Sequence, residues 1–266
     1  MTDFFPRGAV IRRINAEPAI LFGAGRALLL QVAHPVVAQG VADHSDFRDN
    51  PFRRLQGTLE ALNAVVYGSE ELALAIGMRV AQLHDHVVGP TYRASDVENL
   101  VWVHSTLCDS ALEAYRRFVG PLGASDASTY YDEMKRVAEV FGIPAVALPD
   151  TFADFRTYFA GMVETMSVTD VGRQLAADIV RPPLPLLVGA TLAPLVGVHR
   201  LVAVGTTPQP IRERLDLPWK AYEQYALAFL ETVSRTASIA IPRPLRALST
   251  SITGSWMLAH ANPTAP

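Results

Sequence analysis

The sequence predicts an all-α fold, a single multi-helix domain, and three observations carry that expectation. Apolar residues recur at three- and four-residue spacing along most of the chain, while strict polar–apolar alternation is rare. Half of the 266 residues are hydrophobic and only 18% are charged, which suits one sizeable buried core and argues against disorder. The punctuation is that of helices: Asn50-Pro51 opens one, Gly89-Pro90 closes another, and Gly142 with Pro144 closes a third.

The first predicted helix covers about 17–32. Gly23, Ala24 and Gly25 leave its early turns bare enough for close helix packing, and a phosphate-binding loop is the weaker reading because no strand precedes them. Pro35, after His34, kinks or restarts this helix, and Val36 to Val41 form a second apolar piece before the polar turn His44-Ser45-Asp46. From Pro51 to Gly68 a helix places Arg54, Thr58, Ala61, Leu62 and Val65 on one face, with Arg53, Gln56 and Glu60 opposite. The next, from Glu70 to Gly89, carries the stripe Leu72, Ile76, Val80, Leu83 and Val87. His84 lies on that stripe and is expected to be buried, whereas His86 sits beside Arg79 and Gln82 and is expected to face water.

Ser95 and Glu98 read as a capping box for a helix running to Phe118, with Val97, Val101, His104, Leu107, Cys108, Ala111 and Tyr115 inward. Helices then follow from Ser125 to Phe141, from Asp150 or Thr151 to about Met166, after Thr169, and from about Trp219 to Thr236. The prolines of RPPLP, TTPQP and IPRP separate these later elements. Leu184 to Val198 is the longest apolar run; it is too short for a membrane span of about 20 residues and is read as a buried core helix.

Composition excludes some function classes. A net charge of −3 with no long basic cluster gives no footprint for nucleic acid. The single Cys108 allows no internal disulfide, and the N-terminus shows no continuous apolar signal region. A cytoplasmic location is expected, with peripheral membrane contact as the weaker alternative. The motifs HExxH, CxxC and GxSxG are absent, and His84 and His86 point from different helix faces, so a zinc site or a serine nucleophile is disfavoured. An inward histidine on an apolar stripe has two readings: a core histidine bonded to a neighbour, or an axial ligand to an iron in an apolar slot.

The segments LLLQVAHPVVAQGVADHSDF, RxxxT at Arg54 and Thr58, LHDHVVGP and WVHSTLCDSALEAYRRFVGPL are similar, in order and spacing, to the MpaB/rubber-oxygenase (latex-clearing protein) catalytic-domain family. The likeness continues through YYDEMKRVAEVFGIP and LPDTFADFRTYF, and more loosely to RERLDLPW. It covers about residues 15–235 and leaves 237–266 as a C-terminal extension. The resemblance implies a globin-like helical core, a b-type haem, and cleavage of carbon–carbon double bonds in a hydrophobic, isoprenoid-like substrate with dioxygen. It assigns the iron ligand to His84, within HxxVxG, and the other side of the haem to Arg54 and Thr58. Arg54 is expected either to stabilise charge on the reacting oxygen or to clamp a propionate.

The chain departs from the family's pattern in two places. Gly57 stands where rubber-cleaving members carry a lysine, and the family's acidic base has only Asp43 and Asp46 as counterparts nearby. His34, His44 and His104 read first as structural. His104, inward on its helix, joins Arg54, Thr58 and His84 as a cofactor-contact candidate. Two readings compete with the oxygenase: a helical binding protein for a hydrophobic ligand, and a haem sensor or carrier.

Overall fold

Pro35 makes the first corner of the chain. Having no N–H and disfavouring helical backbone in the residue before it, proline forces His34 to an extended conformation, with φ −78° and ψ 125°. The helices on either side therefore turn by 102°. They belong to a computed structural model that describes residues 2–44, 51–90, 92–183, 186–242 and 246, with backbone alone for 51–56 and 186–188.

The element order is α1 (Val10–Asn15), a short 3-10 turn at Pro18–Leu21, α2 (Phe22–Ala33), α3 (Pro35–His44), α4 (Pro51–Tyr67) and α5 (Glu70–Asp85). A minimal antiparallel hairpin follows, β1 (Val88–Gly89) with β2 (Tyr92–Arg93), pairing Val88 with Arg93 and Gly89 with Tyr92. Then come α6 (Val97–Ala114), α7 (Ala124–Val140), α8 (Phe152–Thr165), α9 (Asp170–Val180), α10 (Leu186–Thr206), α11 (Gln209–Arg214) and α12 (Ala221–Ala240). The class is all-α, as predicted.

At the centre lies α2, packed against α3, α6, α9 and α10. Its glycines make that possible. A Cβ at Gly23 would come within 2.6 Å of the Ser110 carbonyl oxygen on α6, and one at Gly25 within 2.7 Å of Ala203 and His199 on α10. Close approach draws Arg26 into the interior, where it would be costly unpaired. Its Nη2 meets Asp109 at 2.5 Å, its Nη1 donates to Ser110 Oγ and its Nε to the Thr206 carbonyl. Arg156 holds the other oxygen of Asp109 at 2.9 Å. Trp102 fills the space beside this network, donating from Nε1 to the Leu30 carbonyl and stacking on Phe159.

The second unit is the α4–α5 hairpin, which leans on α7. Gly77 on α5 sits against the Val140 carbonyl, where any side chain would collide. One cluster of buried residues runs from Phe5 to Leu217 and joins both units.

Several boundaries differ from those read in the sequence. The expected first helix is split into a 3-10 turn and α2, because Pro18 opens a tight turn, and α1 precedes it unforeseen. The capping box at Ser95 does not form; Asp96 occupies the N-cap without a side-chain bond. The box forms instead at Thr151, whose hydroxyl accepts from Asp154 N while the Asp154 carboxylate accepts from Thr151 N.

The apolar run at 184–198 is not a buried core helix. Its described part lies in α10, and only 22% of Gly189–Thr206 is buried, although that stretch is long and apolar enough to cross a membrane. Burial follows the neighbours available: the last turns meet α2 at Gly25, whereas Leu195 and Val198 remain exposed.

Candidate active site

Between the α4–α5 hairpin and the α2, α3 and α6 assembly lies a cavity of about 640 Å³. Its size falls in the range of sites that enclose a cofactor or small ligand. Apolar side chains dominate the walls: Val36 and Val37 from α3, Ile76 and Val80 from α5, Val103 and Leu107 from α6.

The helical spacing that made a stripe in the sequence now makes a wall. Leu72, Ile76, Val80, His84 and Val87 all border the cavity and are half-buried, because they face an open slot rather than solid core. His84 is therefore less buried than expected. Leu83 also borders the cavity, but 59% of it is exposed, since it sits toward the solvent edge of the stripe. His86 is exposed, as predicted, and its Nδ1 lies 2.6 Å from the Gln82 carbonyl.

Thr58 borders the same cavity as His84. Arg54 belongs to α4, but its side chain lies outside the described residues, as does Asp46. His104 is buried within α6, borders the cavity, and its Nε2 has no hydrogen-bond partner among the described residues. Burial opposes the imidazolium form and lowers its pKa to about 4, so the ring is neutral near neutral pH. His44 borders the cavity and contacts the Val88 carbonyl at 3.2 Å, whereas His34 lies away from the lining. Cys108 is buried and its thiol pKa is pushed well up, which leaves it protonated and inert.

Periodicity missed several polar residues on the walls. Gln31 from α2, Asn99 from α6 and Tyr92 from the hairpin all reach the cavity. Tyr92 is buried, and its hydroxyl donates to Asp43 at 2.7 Å; lost hydration and the adjacent carboxylate push its pKa up to about 12. Gln39 also donates to Asp43, so this acid ties α3 to the hairpin. A two-residue strand leaves almost no periodic signal, and only the Gly89-Pro90 breaker marked the turn.

Among the described residues, no three of His, Cys, Asp and Glu gather where a bare metal ion could be held. A porphyrin brings four nitrogens of its own and asks the protein for one more, in an apolar slot. His84 on the cavity wall meets that requirement, so the donor set fits a haem.

A mainly helical chain enclosing an apolar cavity with a histidine on its wall has the build of a protein that sequesters a cofactor or small apolar ligand. Residues 11–237 match the family described as "ER-bound oxygenase mpaB/B'/Rubber oxygenase, catalytic domain", and the chain belongs to that family. No curated protein and no solved structure matches it.

Proposed function

We propose that this protein is a haem-b-dependent oxygenase that uses dioxygen on an uncharged, hydrophobic substrate, with an isoprenoid-like carbon–carbon double bond as the bond cleaved. One observation carries the reading: His84 and Thr58, which the family resemblance singles out, line one mostly apolar cavity. His84 would hold the iron, and the bound haem supplies the dioxygen chemistry. The valine, leucine and isoleucine walls exclude water and bind the apolar substrate. Thr58 offers a hydroxyl at the wall, and Arg54 is the cation proposed to steady negative charge beside it.

In that arrangement Asp43 is not a free base, because Tyr92 and Gln39 both donate to it. Its proposed part is to hold the hairpin, and with it Tyr92, against the cavity. A non-catalytic role in binding a hydrophobic ligand would use the same walls.

The absorption spectrum of the protein produced with haem supplied tests the reading, with a Soret band expected. Arg54→Ala is then expected to lower turnover with haem content nearly unchanged if the guanidinium serves the reacting oxygen. If Arg54 clamps a propionate, haem content falls instead. A wild-type protein without a Soret band would leave only the ligand-binding role.

A further inference from the structure

Gly57 lacks both usual reasons for a glycine inside a helix. It is the seventh residue of α4, where glycine is a poorer helix former than alanine. It does not need a left-handed backbone; among the described residues the positive-φ glycines are Gly120 and Gly142. Nor does a described neighbour press on it. Among the described residues a Cβ at Gly57 would meet nothing within 4 Å, whereas one at Gly23, Gly25 or Gly77 would strike an adjoining helix. Yet Gly57 borders the cavity, one residue before Thr58, and is exposed at its rim. What the glycine provides is the absence of a side chain at that point of the wall.

We propose that Gly57 is a specificity-determining residue, whose missing side chain opens the cavity beside Thr58 to a wide, uncharged apolar ligand, ringed or branched. This rests on the reading of the cavity as the ligand site. Val36, Val37, Ile76 and Val80 border the same space, so the molecule admitted gains contact with hydrocarbon. A side chain at position 57 would narrow the opening without meeting a packed helix among the described residues.

The test compares wild type with Gly57→Ala and Gly57→Leu, in the protein as purified and after haem loading. The probes are two alcohols with ten carbons each, linear decan-1-ol and compact adamantan-1-ol, with binding measured by calorimetric titration. Both substitutions should raise Tm by a few degrees, because a helix-interior glycine is replaced where there is room. Gly57→Leu should weaken adamantan-1-ol at least tenfold and change decan-1-ol less than twofold, with Gly57→Ala between. Equal affinity of Gly57→Leu and wild type for adamantan-1-ol would overturn the proposal while leaving the cavity reading intact, and so would a parallel loss of both alcohols. Binding of neither alcohol by wild type would overturn both. If the leucine variant does not fold, the alanine variant decides the question by the same ratio.

Discussion

His84→Ala is expected to lose haem while keeping its fold, and His86→Ala is expected to keep both. The two imidazoles are two residues apart, but α5 turns one toward the cavity wall and the other to water. An apolar slot would still attract the porphyrin face after the substitution, but the iron would lose the nitrogen proposed to anchor it. Outer partners of metal ligands alone are worth roughly 10–100-fold in affinity, so loss of the ligand itself should cost at least about 100-fold. The substitution removes a half-buried ring next to open space, so helix α5, capped by Ser69, should persist with unchanged circular dichroism. Added imidazole should restore part of the Soret band in His84→Ala. A full band with an unchanged axial-ligand signature in both variants would show that His84 does not hold iron in this protein.

The same helix shows what the sequence could and could not disclose. Three-and-four spacing located the stripe and separated His84 from His86, because that periodicity is a property of the backbone. It could not show whether the stripe faces solid core or a slot, since that depends on how far α4–α5 stands from α3 and α6. Hence His84 was expected to be buried and is half-buried.

The run at 184–198 fails for a related reason. Hydropathy reports what a segment could bury, and α10 buries mainly the turns that meet α2. Local signals mark element ends where the chemistry is local, as at Pro35, Pro51 and Thr151. They failed at Ser95, where Asp96 takes the N-cap position. Tyr92 and Gln31 reach the cavity through tertiary packing alone, and nothing in their neighbouring residues announced it.

Lowering the pH from about 6.5 toward 4 is expected to destabilise the wild type markedly, and His104→Gln should remove much of that loss. His104 is buried, and its pKa is lowered from 6.5 to about 4 because the interior does not solvate an imidazolium. In the unfolded chain the ring protonates near 6.5. Between the two values the unfolded state therefore binds the extra proton, and stability falls as pH falls. Above about 6.5 both states are neutral and the term vanishes. At about 1.4 kcal/mol per pH unit, a gap of this size amounts to on the order of 3 kcal/mol by pH 4. His34 and His199 are lowered by burial as well and add a slope of the same sign. The paired carboxylates Glu113 and Glu223 are shifted below their usual range, so their contribution is lost at lower pH still. Glutamine keeps a polar end near Nε2 and cannot charge, which isolates the term. Urea unfolding at intervals from pH 7.5 to 4.5 should therefore give a shallower loss for His104→Gln than for wild type. Parallel curves, or a ring that titrates near 6.5 by NMR in the folded protein, would mean that the His104 ring reaches water and is not enclosed on the cavity wall.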